Sequence, residues 1–213
     1  MDIRLNHVTK VIRDVIILDN ISLHLASGHI YGLQGPNGHG KTMLLRLIAG
    51  LIKPTEGMIL YNGKPLPKGQ DFPKSLGVMI ETPAFWENYT GKKNLELLAE
   101  IRGSVTEKEI DEMLIKVGLD PKDKRTVRRY SLGMKQRLGI AAALMESPEL
   151  ILLDEPTNAL DENGIADICQ LIKEEKTRGS LIVVASHDAD VLKDLADITY
   201  IMKEGRILDE VEK

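Results

Sequence analysis

The sequence predicts an α/β protein in which a largely parallel sheet is interrupted by a helical segment. Two wholly apolar runs, LILL (150–153) and LIVVA (181–185), are typical of strands covered on both faces. Strand and helix patterns alternate in the last third of the chain, as in parallel α/β folds. Helical patterns instead dominate between Thr82 and Met145. We predict one domain, residues 1–213, with its core in 1–81 and 146–213 and a helical subdomain in 82–145.

The first third of the chain is predicted to form short strands joined by turns. The runs IRLNHV, ISLHL and HIYGLQ have strand patterns, and Asp19-Asn20 and Ala26-Ser27-Gly28 are turn-forming residues between them. Asn62-Gly63, inside GMILYNGK, is a strong two-residue hairpin turn. The helical run MLLRLIAGL is stopped by Gly50 and Pro54. An apolar strand, GVMIE, comes after the hairpin.

Helices dominate the middle of the chain. In EKEIDEMLIKV the apolar residues recur at helical spacing, at Ile110, Met113, Leu114 and Val117. Thr106 and Glu109 make a capping box at the start of this helix. NLELLAEI predicts a second helix. After this segment, strands and helices alternate. The predicted strands are ELILLD, SLIVVAS, ITYIMK and RILDE, and the predicted helices lie near 163–176 and 188–196.

Composition and charge narrow the classes of function. The chain has 213 residues, 43% hydrophobic and 28% charged, and its net charge of −4 argues against a dedicated nucleic-acid binder. The one cysteine, Cys169, cannot form an internal disulfide, which suits a reducing compartment. No apolar run reaches the roughly eighteen residues of a spanning helix, and MDIRLNHVTK has no apolar signal core. We expect a soluble intracellular protein that reaches a membrane only through a partner.

Residues 35–42, GPNGHGKT, fit the phosphate-loop pattern G-x-x-x-x-G-K-[ST] between a strand and a helix. Glycines let backbone N–H groups face a phosphate, and the next helix presents its positive end to the same anion. Lys41 is predicted to reach the β- and γ-phosphates and to serve catalysis, and the Thr42 hydroxyl to bind Mg²⁺. An ordinary glycine-rich turn is the alternative. The predicted nucleotide contacts are Gly35, Pro36, Asn37, Gly38, His39, Gly40, Lys41, Thr42 and Met43, with His39 given no role beyond the loop.

Two carboxylates, Asp154 and Glu155, end the apolar strand LILLD. Ligands gather at the carboxyl ends of strands in open parallel sheets. Asp154 is therefore predicted to hold Mg²⁺, and Glu155 to polarise the attacking water as general base. The alternative is an acidic strand end that faces solvent. The phosphate loop upstream in the same kind of sheet favours the functional interpretation.

The stretch YSLGMKQR (130–137) completes a set of motifs that resembles the ATPase subunit of ABC transporters. GPNGHGKT, YSLGMKQR, LILLDEPTNALD and Ser186-His187 occur in that family's order, and the resemblance covers essentially the whole chain. It implies a P-loop NTPase core with an antiparallel β subdomain and an inserted α-helical subdomain. It also implies that ATP and Mg²⁺ are bound and ATP is hydrolysed.

By this resemblance, YSLGM is the family signature, usually written LSGGQ. Ser131 and Gly133 would hold the γ-phosphate of an ATP bound to a second ATPase subunit in a head-to-tail dimer. Leu132 and Met134 depart from the usual motif, which has a glycine and a glutamine at these positions. SLGMKQR is similar to the subgroup of bacitracin-resistance and lantibiotic-immunity exporters.

Four further residues take roles from the same resemblance. Asp161 matches the loop that communicates across the dimer. His187 would bond the γ-phosphate and position Glu155 and water, although a lone histidine is more often structural. Glu81 stands where many relatives have a glutamine near Mg²⁺ and is a third predicted Mg²⁺ residue; its charge needs compensation by Mg²⁺ or a proton, and the alternative is a surface residue. Ile12 falls where an aromatic residue usually stacks on adenine, and it is predicted to pack against the base through its apolar side chain.

The segment from Thr82 to Tyr89 is rich in aromatic residues and, by resemblance, would receive a membrane permease near Glu81–Tyr89. Packing inside the helical subdomain is the alternative. The basic run KDKRTVRR (122–129) is interpreted as a solvated face rather than a nucleic-acid site.

The predicted function is ATP hydrolysis that powers a separate permease, with export of a peptide antibiotic or similar amphiphile. The subunit would then be cytoplasmic and peripheral on the inner face of the membrane. A soluble ABC-type ATPase that acts on ribosomes or DNA is the alternative. The signature stretch and His187 argue against a third class, an unrelated P-loop kinase or switch protein.

Overall fold

A computed structural model describes residues 1–67, 72–101, 103 and 105–213 of the chain. Within them, the strands form two sheets, one with the order β2-β1-β4 and one with the order β5-β6-β7-β3-β8-β9. The strands are β1 Asp2–Ile12, β2 Val15–Ala26, β3 Ile30–Gln34, β4 Glu56–Tyr61, β5 Leu76–Met79, β6 Leu150–Asp154, β7 Leu181–Ser186, β8 Ile198–Lys203 and β9 Arg206–Glu212. The helices are α1 Lys41–Ile48, α2 Gly91–Glu100, α3 Glu107–Lys116, α4 Leu132–Leu144, α5 Glu162–Thr177 and α6 Ala189–Leu195.

The larger sheet confirms the predicted parallel core. β5, β6, β7, β3 and β8 run parallel, and only the edge strand β9 is antiparallel to its neighbour. The two apolar runs of the sequence form the inner strands β6 and β7, which are buried along their whole length. The carboxyl ends of β6, β7 and β3 therefore lie side by side, where an open parallel sheet places its ligands.

The two faces of the larger sheet belong to different hydrophobic cores. Ile151 and Leu153 of β6 pack with the helices α2, α3 and α4. Leu150 and Leu152 of the same strand pack with α1 and with the smaller, antiparallel sheet. This alternation explains why the central strands are apolar at every position, because both faces of the sheet are covered.

The first predicted turn is in the wrong place. Asp19 and Asn20 lie within β2, and the hairpin between β1 and β2 turns at Arg13 and Asp14, whose φ angles are 49° and 64°. Asn20 also has a positive φ, 53°, next to a register shift in the ladder. Asparagine tolerates this conformation in a bulge as well as in a turn, so its presence did not identify the turn. Asn62-Gly63 does form the predicted turn, with φ angles of 50° and 78°.

The predicted helices of the middle segment are present. α3 begins at the capping box of Thr106 and Glu109, and its residues Ile110, Met113 and Leu114 are buried. α4 begins at Ser131, whose hydroxyl accepts a hydrogen bond from the Met134 N–H at 3.2 Å. In the part of the chain that is described, no helix has the length and apolar character needed to cross a membrane. Cys169 is a buried free thiol on α5.

Candidate functional site

The glycine-rich loop joins β3 to α1 at the carboxyl edge of the larger sheet. Gly40, the residue before α1, has a φ of 97°, and a Cβ atom there would lie 2.7 Å from Leu18 Cδ2. Gly35 approaches β8 so closely that a Cβ atom would lie 2.3 Å from the Met202 carbonyl oxygen. Both positions therefore require glycine. No side chain caps the start of α1, so its first N–H groups remain available to an anion.

The loop is folded around the ammonium group of Lys41. This side chain is only 4% exposed, and its Nζ donates to the carbonyl oxygens of Gly35 at 2.5 Å and Pro36 at 3.2 Å. Glu155 Oε1 lies 3.7 Å from the same nitrogen. The structure therefore places a buried positive charge at the start of a helix, which is a favourable place for phosphate oxygens.

Thr42 and Asp154, two of the three predicted Mg²⁺ residues, are in contact. The Thr42 hydroxyl donates to Asp154 Oδ2 at 2.6 Å. Burial raises the pKa of Asp154, and the hydrogen bond from Thr42 acts in the opposite direction. A hydroxyl and a carboxylate are the oxygen donors that Mg²⁺ prefers, and Mg²⁺ sites usually combine one or two carboxylates with substrate phosphates. These residues fit that ion.

Glu155 and His187 form the second predicted pair. The two Glu155 carboxylate oxygens contact His187: Oε1 accepts from the backbone N–H at 3.1 Å, and Oε2 lies 2.9 Å from Nδ1. Ser186 Oγ is 3.4 Å from Oε2. β6 and β7 are paired in the sheet, so the residues that follow them meet at its edge. The His187 ring therefore fixes the direction of the carboxylate.

Glu81 has a partner that the sequence analysis did not identify. Arg46 Nη2 lies 2.7 Å from Glu81 Oε1. The sequence predicts that Mg²⁺ or a proton compensates the Glu81 charge, whereas in the structure the Arg46 guanidinium does so. Arg46 follows Thr42 by four residues on α1, one helical turn, which places both side chains on the same side of the helix. The four-residue spacing between Thr42 and Arg46 is the sequence signal that could have identified Arg46 as a residue of this site.

Most of these groups line a cavity of about 290 Å³, but His187, Gly35 and Pro36 are not among its lining residues. Its lining residues are Ile17, Asn37, Gly38, Gly40, Lys41, Thr42, Met43, Arg46, Glu81, Asp154 and Glu155. His39 lies on the other side of the loop, where Nδ1 accepts from the Glu204 N–H at 3.0 Å. Ile12 does not line the cavity; it is 39% exposed at the end of β1, and Ile17 is the isoleucine at the cavity wall. A role for Ile12 in contacting a base stays a prediction.

The signature residues lie together, outside the lining of this cavity. A Cβ atom on Gly133 would lie 2.7 Å from the carbonyl oxygen of Ala159, which places the start of α4 against the segment before α5. Asp161 caps α5 by accepting from the Gly164 N–H at 3.1 Å. Leu132 is 63% exposed. In the single subunit, the signature residues and Asp161 therefore form a separate, largely exposed surface.

Gln136 and Arg137 end the signature stretch YSLGMKQR and lie on α4. Gln136 Nε2 donates to the Glu155 carbonyl oxygen at 2.8 Å. Arg137 Nη1 donates to the Val117 carbonyl oxygen at 2.6 Å, and its Nη2 lies 3.8 Å from Asp161 Oδ1. Both side chains tie the signature helix to neighbouring segments of the same subunit.

Comparison with known proteins identifies this arrangement. A family model described as ABC transporter matches residues 18–158. The chain is 44% identical over 201 residues to the uncharacterized ABC transporter ATP-binding protein YybJ of Bacillus subtilis, covering 94% of this chain and 92% of that protein. It is 39% identical over 211 residues to the bacitracin transport ATP-binding protein BcrA of Enterococcus faecalis, covering 98% and 68%. It is 40% identical over 196 residues to the lantibiotic transport ATP-binding protein SrtF of Streptococcus pyogenes, covering 92% and 84%.

Solved structures of ABC transporter cassettes also resemble this chain. The chain superposes on the dimeric structure of MJ0796, a bacterial ABC transporter cassette, with a TM-score of 0.88 and 28% identity, covering 99% of this chain and 98% of that one. The post-hydrolysis state of the same cassette, bound to ADP and Pi, gives a TM-score of 0.87 with the same coverage. These relatives favour transport over the alternative of a soluble ATPase that acts on ribosomes or DNA. The chain therefore belongs to the ABC transporter family, as an ATP-binding and ATP-hydrolysing subunit.

Proposed function

We propose that this subunit, with Mg²⁺, closes with a second ATPase subunit around ATP and thereby drives a separate permease that exports a peptide antibiotic or a similar amphiphile. The single observation that carries the proposal is the Glu155 carboxylate, held by His187 beside Lys41 and the Thr42–Asp154 pair. This arrangement joins a general base to the groups that would hold phosphates and metal.

The chemistry proposed at this site is mostly positioning and charge neutralisation. Lys41 and the start of α1 hold the phosphates, and Thr42 and Asp154 are the residues that would hold Mg²⁺, which supplies positive charge beside the phosphates. Glu155 accepts a proton from the water that attacks the γ-phosphate in line with the leaving ADP. His187 orients that carboxylate and is proposed to contact the γ-phosphate.

The signature surface supports the head-to-tail dimer. Ser131 and Gly133 lie outside the cavity of their own subunit, so the phosphate they are proposed to bind belongs to the second subunit. Asp161, at the start of α5, is exposed beside them and would face the partner across the dimer. The dimeric state of the cassette MJ0796 is consistent with this arrangement.

The permease is proposed to dock near Glu81–Tyr89. Phe85 packs against the core, as the alternative interpretation of this segment requires, but Trp86 is 52% and Tyr89 47% exposed. Exposed aromatic side chains are enriched at protein interfaces. Glu81 belongs to both this surface and the cavity lining, so it would report ATP occupancy to the permease. A subunit that docks on the permease in this way would be cytoplasmic and peripheral on the inner face of the membrane.

The proposed cargo comes from the relatives that are named for bacitracin and lantibiotic transport. Affinity purification of this subunit from gently solubilised membranes of its host should recover a multi-span protein in stoichiometric amount. The recovered permease, expressed with this subunit in a sensitive strain, should raise the inhibitory concentration of bacitracin or of a lantibiotic. The matched control is the same pair with Glu155→Gln, which should give no protection.

Two outcomes would count against the proposal. Recovery of ribosomal or DNA-associated proteins alone would contradict the proposal that a permease is the partner of this subunit. Protection that persists undiminished with the Glu155→Gln subunit would show that the observed resistance does not depend on hydrolysis at this site.

A further inference from the structure

Gln136 makes a contact that phosphate binding does not explain. It is half-buried on α4 and is not part of the cavity lining, yet its Nε2 donates to the main-chain carbonyl oxygen of Glu155 at 2.8 Å. The two residues are 19 positions apart, so the contact depends on the packing of α4 against the end of β6. A side chain that reaches the backbone of the proposed general base acts on the position of that base.

The backbone at Glu155 is in a conformation that requires support. Its φ angle is 50°, in the left-handed region that residues other than glycine adopt at a cost in free energy. Its N–H donates to the Ala185 carbonyl oxygen at 2.8 Å, and its carbonyl oxygen also accepts from the Asn158 N–H at 3.2 Å. Gln136 therefore provides the only side-chain bond to this backbone among the described residues, and the shorter of the two bonds at the carbonyl.

The same side of α4 carries the signature glycine. Gly133 and Gln136 are three residues apart on the helix, so they face the same direction. Gly133 lies against Ala159 and Gln136 against Glu155, and both contacted residues belong to the short segment between β6 and α5. A single rigid turn of helix thus connects the signature surface to the backbone of the carboxylate.

We infer that Gln136 is a positioning residue for hydrolysis: its amide holds the Glu155 turn, and through it the carboxylate, in place relative to the signature helix. This inference rests on the proposed role of Glu155 as general base. Gln136 does not touch ATP in this account, so its loss slows the chemical step without weakening nucleotide binding.

The test compares three substitutions at Gln136 by steady-state ATPase assay, with ATP affinity and the thermal unfolding midpoint measured in parallel. Gln136→Met removes the hydrogen-bond donor without adding a charge. Gln136→Glu removes the donor and adds a negative charge. Gln136→Lys keeps a donor. The matched control is Gln170→Glu, which makes the same chemical change at an exposed position of α5.

We expect kcat to fall about tenfold or more in the Met and Glu variants, while KM and Kd for ATP change less than about twofold, because a small displacement of a catalytic group slows chemistry. The Lys variant should retain most of the wild-type kcat, and Gln170→Glu all of it. A wild-type kcat in the Met and Glu variants would overturn the inference, as would an equal loss in all three. Glu155→Gln, assayed alongside, separates the two claims: rapid turnover in that variant contradicts the base assignment itself.

Discussion

The phosphate loop and the signature segment both place the start of a helix at a proposed phosphate site, but they prepare it in different ways. The start of α1 has no side-chain cap, and beside it lies a lysine that is 4% exposed. The start of α4 is capped by the Ser131 hydroxyl, and Leu132 next to it is 63% exposed. The first site has open N–H groups and a buried positive charge ready for an anion. At the second site the Met134 N–H is already bonded to the Ser131 hydroxyl, so this donor must exchange its hydrogen bond before it can bind an anion.

In the proposed dimer, the cavity is therefore one half of a site. The charged groups that would bind phosphate and metal are assembled within the subunit, whereas the signature is proposed to act only when another subunit brings ATP to it. Changes at the phosphate loop should therefore affect nucleotide binding by the single subunit. Changes at the signature should leave that binding intact and affect turnover.

Between the phosphate loop and the signature, the larger effect is expected at Lys41 of the loop. Lys41→Ala removes the buried ammonium group from the loop, and we expect Kd for ATP to rise about 10- to 100-fold because a charge-assisted hydrogen bond is lost. Isothermal titration of the purified subunit measures this. Lys193→Ala, on the exposed side of α6, is the matched control and should bind ATP normally. An unchanged Kd in Lys41→Ala would contradict the assignment of the loop.

A smaller effect, of a different kind, is expected at Gly133. A Cβ atom there would lie 2.7 Å from the Ala159 carbonyl oxygen, so Gly133→Ala must displace the start of α4. We expect ATPase turnover to fall about tenfold, because a misplaced contact to the transferred phosphate weakens transition-state binding. Kd for ATP of the single subunit should not change. If Gly133→Ala weakens ATP binding as much as Lys41→Ala does, the separation between the two regions is wrong.

The smallest effect is expected at the Arg46–Glu81 ion pair. Both side chains are partly exposed, 33% and 62%, so the pair itself stabilises little. Arg46→Gln leaves the Glu81 charge uncompensated beside the phosphates, and we expect KM for ATP to rise about two- to fivefold.

A double-mutant cycle tests that explanation. Adding Glu81→Gln to Arg46→Gln removes the uncompensated charge and should restore KM. Lys173→Gln breaks an exposed ion pair with Asp194 and serves as the control. Equal KM values in the single and double variants would show that charge compensation is not what Arg46 provides.

The sequence predicted the parts of this site that depend on local motifs. The loop at 35–42, the Asp154-Glu155 pair and His187 each follow a strand that the sequence also predicted, and parallel strands bring their ends to one edge. The two apolar strands identified the sheet because burial on both faces leaves no other pattern.

What the sequence did not predict depends on distant packing. Arg46 and Glu81 are 35 residues apart, and Gln136 and Glu155 are 19 apart. The spacing of Arg46 from Thr42 indicates its side of α1 but not its partner, and the Gln136 contact has no local signal. The misplaced hairpin has a different cause. Asn20 adopts a positive φ in a bulge within β2, and the same residue type serves turns and bulges equally well.

The most direct test of the central claim is the fate of ATP bound to Glu155→Gln. The variant keeps the shape of the side chain and removes its ability to accept a proton. Incubated with Mg²⁺ and radiolabelled ATP, it should retain intact ATP and hydrolyse it at least about a hundredfold more slowly than the wild-type subunit, because general base catalysis contributes at least that much. Undiminished turnover, with ADP as the bound nucleotide, would contradict the role of Glu155 as the base.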